Sequence, residues 1–92
     1  MKVTTKDNFT IDVNKDRAKD WRFAKALAMM DSEDDSEKLK GAAIAVPFLL
    51  GKDGEEALMK HLTDKEGLVS SASVLSTFTE IITLLGEEEK KS

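Results

Sequence analysis

The chain has 92 residues, 40% of them hydrophobic and 35% charged, with a formal net charge of −4 at pH 7. That is room for one small domain in which most residues stay near water. It has no cysteine, no tyrosine and one histidine, which excludes disulfide frameworks, thiolate metal sites and thiol nucleophiles, and leaves His61 without the second ligand that a zinc site recruits. The inventory speaks against an enzyme and calls for neither cofactor nor metal.

The longest apolar run, residues 42–50, contains Pro47 and falls well short of the ~18 residues of a membrane span. Lys2 has no apolar stretch behind it, so no secretory signal is expected, and the missing cysteines fit the cytoplasm. The charge is unevenly spread. Residues 1–30 hold seven basic side chains (Lys2, Lys6, Lys15, Arg17, Lys19, Arg22, Lys25) against four acidic ones (Asp7, Asp12, Asp16, Asp20), leaving +3 there and −7 over residues 31–92. Because these bases are interleaved with acids rather than clustered, nucleic-acid binding is not expected.

The elements follow in chain order. Phe9, Ile11 and Val13 alternate with Thr10 and Asp12, the period of a half-buried strand. With residues 2–5 and the turn-forming Lys6-Asp7-Asn8 they predict an N-terminal hairpin. A lone hairpin is marginal in water and must lean on helices. Asn14 or Asp16 can cap a first helix running to about Met30. Phe23, Ala26, Leu27 and Met30 form one stripe on it, and Trp21, Ala24 and Ala28 lie roughly opposite. Two apolar stripes are more than one core contact requires.

Residues 31–37 hold five acids and read as a solvated break. Asp31, Glu33 and Asp35 have the opening spacing of a calcium loop, but Ser36 stands where the turn needs glycine and Ala42 where a bidentate Glu is needed. Asp35 or Ser36 instead caps a second helix over about residues 37–50, closing at Gly51. After Lys40 that helix is apolar nearly all round, with Leu39, Ala42, Ala43, Val46, Leu49 and Leu50 on one face and Gly41, Ile44 and Phe48 on the other. Pro47 cannot donate to the Ala43 carbonyl and is expected to kink it.

Asp53 caps an expected short third helix with Leu58, His61 and Leu62 along one side, His61 serving as a half-buried packing residue. After a polar turn at residues 64–67, Ser70 or Ser71 opens a fourth helix ending at Gly86. Its apolar stripe is Val74, Leu75, Phe78, Ile81, Ile82 and Leu85. Its other face carries Ser73, Ser76, Thr77, Thr79 and Thr83, small hydroxyl residues that permit close approach and make a second candidate interface. The expected architecture is therefore mainly α: a single domain over residues 1–86, a bundle of about four helices with a short N-terminal β-hairpin. Residues 87–92 form a charged tail with no reason to order.

The order of landmarks carries a resemblance. Asp20-Trp21-Arg22-Phe23 is followed by the acidic break, then Phe48-Leu49-Leu50-Gly51, then Leu58-x-x-His61-Leu62, then Asp64-Lys65-Glu66-Gly67-Leu68-Val69-Ser70. Over roughly residues 9–86 this resembles the small tail assembly chaperones of long-tailed bacteriophages and prophages of Gram-positive bacteria; Pro47 departs from their pattern. The resemblance implies a non-virion cytoplasmic helper that binds the long helical tape measure protein and keeps it soluble while tail subunits assemble around it. It also implies self-association and a longer form of the same protein made by ribosomal frameshifting, for which the genetic code allows Glu87-Glu88-Glu89-Lys90-Lys91 to be encoded by a slippery, adenine-rich run. The two-sided first and second helices offer the apolar anchors that helix-in-groove recognition uses. Trp21, Phe23, Ile44 and Phe48 are the expected partner-binding residues.

Three other readings compete. An acyl-carrier-like protein would use Asp35-Ser36 at a helix N-terminus, but Glu37 and Lys38 follow, and the basic first third is wrong for that class. A small DNA-associated regulator would use the basic N-terminal third, which lacks helix–turn–helix spacing. A structural virion component differs from the chaperone only in staying in the finished tail.

Overall fold

A computed structural model describes residues 1–91 of the chain. The elements are strands β1 (Lys2–Thr4) and β2 (Thr10–Asp12), a 3-10 turn (Lys15–Lys19), and helices α1 (Trp21–Met30), α2 (Asp35–Leu62) and α3 (Ser71–Lys91). The protein is mainly helical with a short N-terminal hairpin, as its periodicities predict. Among the described residues no helix is long and apolar enough to cross a membrane.

β1 and β2 pair antiparallel, with Val3 opposite Ile11. Asn8 takes a positive φ of 66° at the turn, a conformation that asparagine tolerates better than most residues. The Thr5 hydroxyl accepts from the Phe9 N–H at 3.2 Å and donates to Asp7 at 2.7 Å. Val3, Phe9, Ile11 and Val13 are all buried, so the hairpin delivers its whole apolar face to the helices.

The expected first helix is two pieces. Asn14 caps the 3-10 turn by accepting from the Asp16 N–H, and Asp20, in extended backbone, caps α1 by accepting from the Arg22 N–H. An Asx cap competes with helix propagation by giving the backbone a local partner. The split separates the basic 3-10 turn from the amphipathic α1.

The expected second and third helices join end to end as one element, giving three α-helices rather than about four, with the helical backbone broken at Gly51, where the second was expected to close. α2 starts at Asp35, one residue after the cap Asp34, which accepts from the Ser36 N–H; the cap is neither Asp35 nor Ser36. Its interruption is at Gly51 (φ 75°, ψ 172°), not at Pro47. That conformation is one that only glycine enters without strain, whereas proline costs a helix one hydrogen bond that a tightly packed neighbourhood can absorb. The bend brings the second arm of α2 back over the core, where Leu58 is fully buried.

Residues 64–68 turn the chain, with Asp64 accepting from the Glu66 and Leu68 N–H groups. Ser70 caps α3, its hydroxyl accepting from the Ser73 N–H at 3.4 Å. Gly86, expected to end this helix, lies inside it, and the helical backbone continues through Glu87 to Lys91. Glycine is compatible with a helix interior at a cost of ~1 kcal/mol, and no left-handed cap forms here. Ser92, the last residue of the expected tail, and the side chains of residues 89–91 lie outside the described residues.

The core is one cluster. Phe23, Leu49, Leu58, Phe78, Ile81 and Val13 are its largest fully enclosed side chains, drawn from the hairpin and all three helices. Each contributes about 1.5–3 kcal/mol by leaving water. Gly41 lets α1 and α2 close together: a Cβ there would stand 2.5 Å from the Ala26 carbonyl oxygen and 2.8 Å from the Met30 nitrogen.

Candidate functional site: the outer face of α2

The first arm of α2 buries Ala42, Ala45, Val46 and Leu49 and turns Leu39, Ala43 and Ile44 toward solvent. Leu39 is 46% and Ile44 49% exposed. At 100° per residue Glu37, Lys40, Ala43, Ile44 and Pro47 occupy the outward side, and after Lys40 it carries no charge before the Gly51 bend. A helix exposed this way normally carries several charged or polar residues there.

Two depressions flank this ridge. On the α1 side, Arg22, Lys25, Ala26, Met29, Ile44 and Phe48 line a hollow of about 320 Å³. On the α3 side, Leu39, Ala42, Ala43 and Val46 face Val69, Val74 and Leu75, with Glu55 and Met59 of the second arm at the end, around about 290 Å³. The Gly51 bend makes the second hollow, because it brings Glu55 and Met59 to the same wall as Leu39.

The expected partner-binding residues separate into two groups. Phe23 is 2% exposed; it belongs to the core stripe of α1 and, contrary to expectation, offers almost no surface to a partner. Trp21 is 73% exposed and stands one turn before Lys25 on α1, so the second apolar stripe of this helix is not used against the hairpin. Ile44 and Phe48 line the α1-side hollow together. Phe48 is half-buried, its ring stacked on Phe23 with centroids 6.4 Å apart. The guanidinium groups of Arg17 and Arg22 stand 5.3 and 5.0 Å from its centroid, within cation–π range. Arg17 also donates to the Phe48 carbonyl at 3.1 Å, one turn before the bend.

Arg22 is held from below by Asp20. Its Nε and Nη2 each donate to that carboxylate at 3.0 Å, a bidentate pairing that fixes the guanidinium plane. The hydrogen bonds from the Arg22 side chain and backbone keep the Asp20 carboxyl below its ordinary range, and the same pair raises Arg22. Sequence reasoning missed Arg17, Arg22, Lys25 and Met29 as parts of this surface. The available signal was the spacing Arg22-Lys25-Met29 on one side of α1, which the contrast between apolar stripes concealed.

The hydroxyl face of α3 is partly committed within the fold. Thr77 is buried, Glu80 accepts from the Lys6 N–H of the hairpin turn at 2.7 Å, and Thr83 donates to the Thr79 carbonyl. Ser76, Thr79 and Thr83 remain in a hollow of about 680 Å³ against Thr4 and Thr5. His61 packs its ring on Phe9 at 5.0 Å and meets Asp7 at 3.0 Å, tying the hairpin turn to the end of α2. Among the described residues no three acidic or histidine side chains converge where a metal ion could sit. No family model, no curated protein and no solved structure matches this chain.

Proposed function

We propose that this protein is a non-enzymatic phage tail assembly chaperone that binds the helical tape measure protein in the bacterial host cytoplasm and keeps it soluble while the tail assembles. The order of landmarks from Asp20 to Ser70 suggests the family. The observation that carries the reading is the outer face of α2, an apolar helix face left open by its own fold and flanked by two apolar hollows. A chaperone for a long helix needs such a surface, open enough to bind and modest enough to release. In the free protein, self-association covers it, and a frameshift-extended form of the chain shares it.

The test is co-expression of the tagged chain with the tape measure protein, read by pull-down and mass spectrometry. Capture of a long, helix-rich partner that precipitates without this chain is expected, with capture lost in Ile44→Asp. Recovery of the chain alone, or a partner equally soluble in its absence, overturns the reading.

A further inference from the structure

The two hollows beside α2 share an apolar floor and differ in their rims. The α3 side has one charged residue, Glu55. The α1 side has Arg22 and Lys25 at its edge and Arg17 over the Phe48 ring, with Asp20 as the counter-charge bound to Arg22. This cationic edge is local, because the chain as a whole carries −4. We infer that the α1-side hollow takes an acidic amphipathic helix, its apolar residues on Met29, Ile44 and Phe48 and its flanking carboxylates against Lys25 and the fixed guanidinium of Arg22.

The inference rests on the outer face of α2 being the docking surface and adds which side is used and what charge the partner helix carries. Electrostatic complementarity of this kind selects partners and steers encounter more than it adds affinity. Arg22 arrives pre-oriented by Asp20, so little side-chain freedom is lost when a second carboxylate approaches. An apolar floor suits a peptide rather than a nucleic acid, whose binding draws mainly on phosphate neutralisation.

Trp21, the only tryptophan, stands exposed beside this edge and gives the readout. Two tryptophan-free synthetic helical peptides with one shared leucine–alanine face, flanked by glutamate in one and lysine in the other, are titrated into the full chain at low salt. The glutamate peptide is expected to bind and shift Trp21 emission to the blue, with affinity falling as salt rises. Lys25→Glu is expected to weaken it about tenfold by replacing attraction with repulsion, while Glu55→Lys in the other hollow leaves it unchanged.

Equal binding of the lysine peptide, no binding of either, or sensitivity to Glu55→Lys instead of Lys25→Glu overturns the inference. So does displacement of the glutamate peptide by a DNA duplex that binds through Lys25. Undiminished capture of the tape measure protein by Lys25→Glu would overturn this inference and leave the chaperone reading standing, whereas capture of nothing by the unmodified chain removes that reading alone.

Discussion

The hairpin and the first arm of α2 are both rich in apolar residues, and the fold treats them oppositely. The hairpin alternates, so one face holds every apolar side chain, and all of Val3, Phe9, Ile11 and Val13 are buried. Its turn is then fastened from two helices, by His61 on Asp7 and by Glu80 on the Lys6 N–H. The first arm of α2 is apolar around most of its circumference, and a helix between two neighbours can bury only part of that. Leu39, Ala43 and Ile44 are what remains outside. An apolar residue in a strand of period two has one destination here; an apolar residue on an all-round apolar helix has two, the core or a partner.

The largest effects come from breaking the buried side of this comparison. Phe78→Ala removes a fully enclosed ring and is expected to cost about 3–5 kcal/mol in urea unfolding. Gly41→Val places a branched side chain against the α1 backbone. Its expected cost is about 1–3 kcal/mol, because the obstructing atoms are carbonyl and amide groups that cannot rotate away.

The exposed side behaves the other way. Ile44→Asp is expected to change stability by no more than about 0.5 kcal/mol while abolishing partner capture, a separation that core substitutions cannot produce. Phe48→Asp is also expected to weaken partner binding, but it is a poorer instrument: the Phe23 stack and the Arg17 contacts go with it, so stability is expected to fall as well. An Ile44→Asp variant that unfolds with the core variants would place Ile44 on the wrong side of the comparison.

The smallest expected effect sharpens the hairpin's attachment. Hydrogen bonds from Thr5 and then His61 hold the Asp7 carboxyl below its ordinary value of 3.8. A depressed carboxyl contributes stability that is fully present above the unfolded value and is lost as pH falls through the folded one. Thermal midpoints are therefore expected to gain a small extra drop below about pH 4, and Asp7→Asn is expected to remove it. Asp7 is solvent-exposed, so the difference is small and shrinks with salt.

Much of the fold was legible because short-range chemistry decides it. The alternation of residues 9–13 specifies the hairpin, the serine pair Ser70 and Ser71 marks the start of α3, and the stripe Phe78, Ile81, Leu85 specifies which face it buries. Pro47 shows where local reading stops, and Gly51 where it succeeds. A proline's lost hydrogen bond is visible in sequence, but whether it bends a helix depends on the packing around it. A glycine's freedom is also visible, and the helical backbone does break at Gly51, where the second helix was expected to close. The cap of α2 is Asp34 rather than the expected Asp35 or Ser36, because neighbouring residues share the same capping chemistry and the approach of the chain chooses among them.

The candidate site divides along the same line. Trp21, Ile44 and Phe48 were readable as apolar residues in excess of what one core contact needs, and Phe23 was readable in the same terms, yet it is core. By itself the sequence determined a mainly helical domain with a buried hairpin face and more apolar helix surface than its length can enclose, because periodicity and composition are local properties. Only the tertiary structure decided which of those surfaces stayed open and what surrounds them. The rim of Arg22 and Lys25 beside Ile44 comes from two helices meeting at Gly41, and the 3-10 turn adds Arg17 over Phe48; proximity between elements is written in packing rather than in the spacing of residues along a chain.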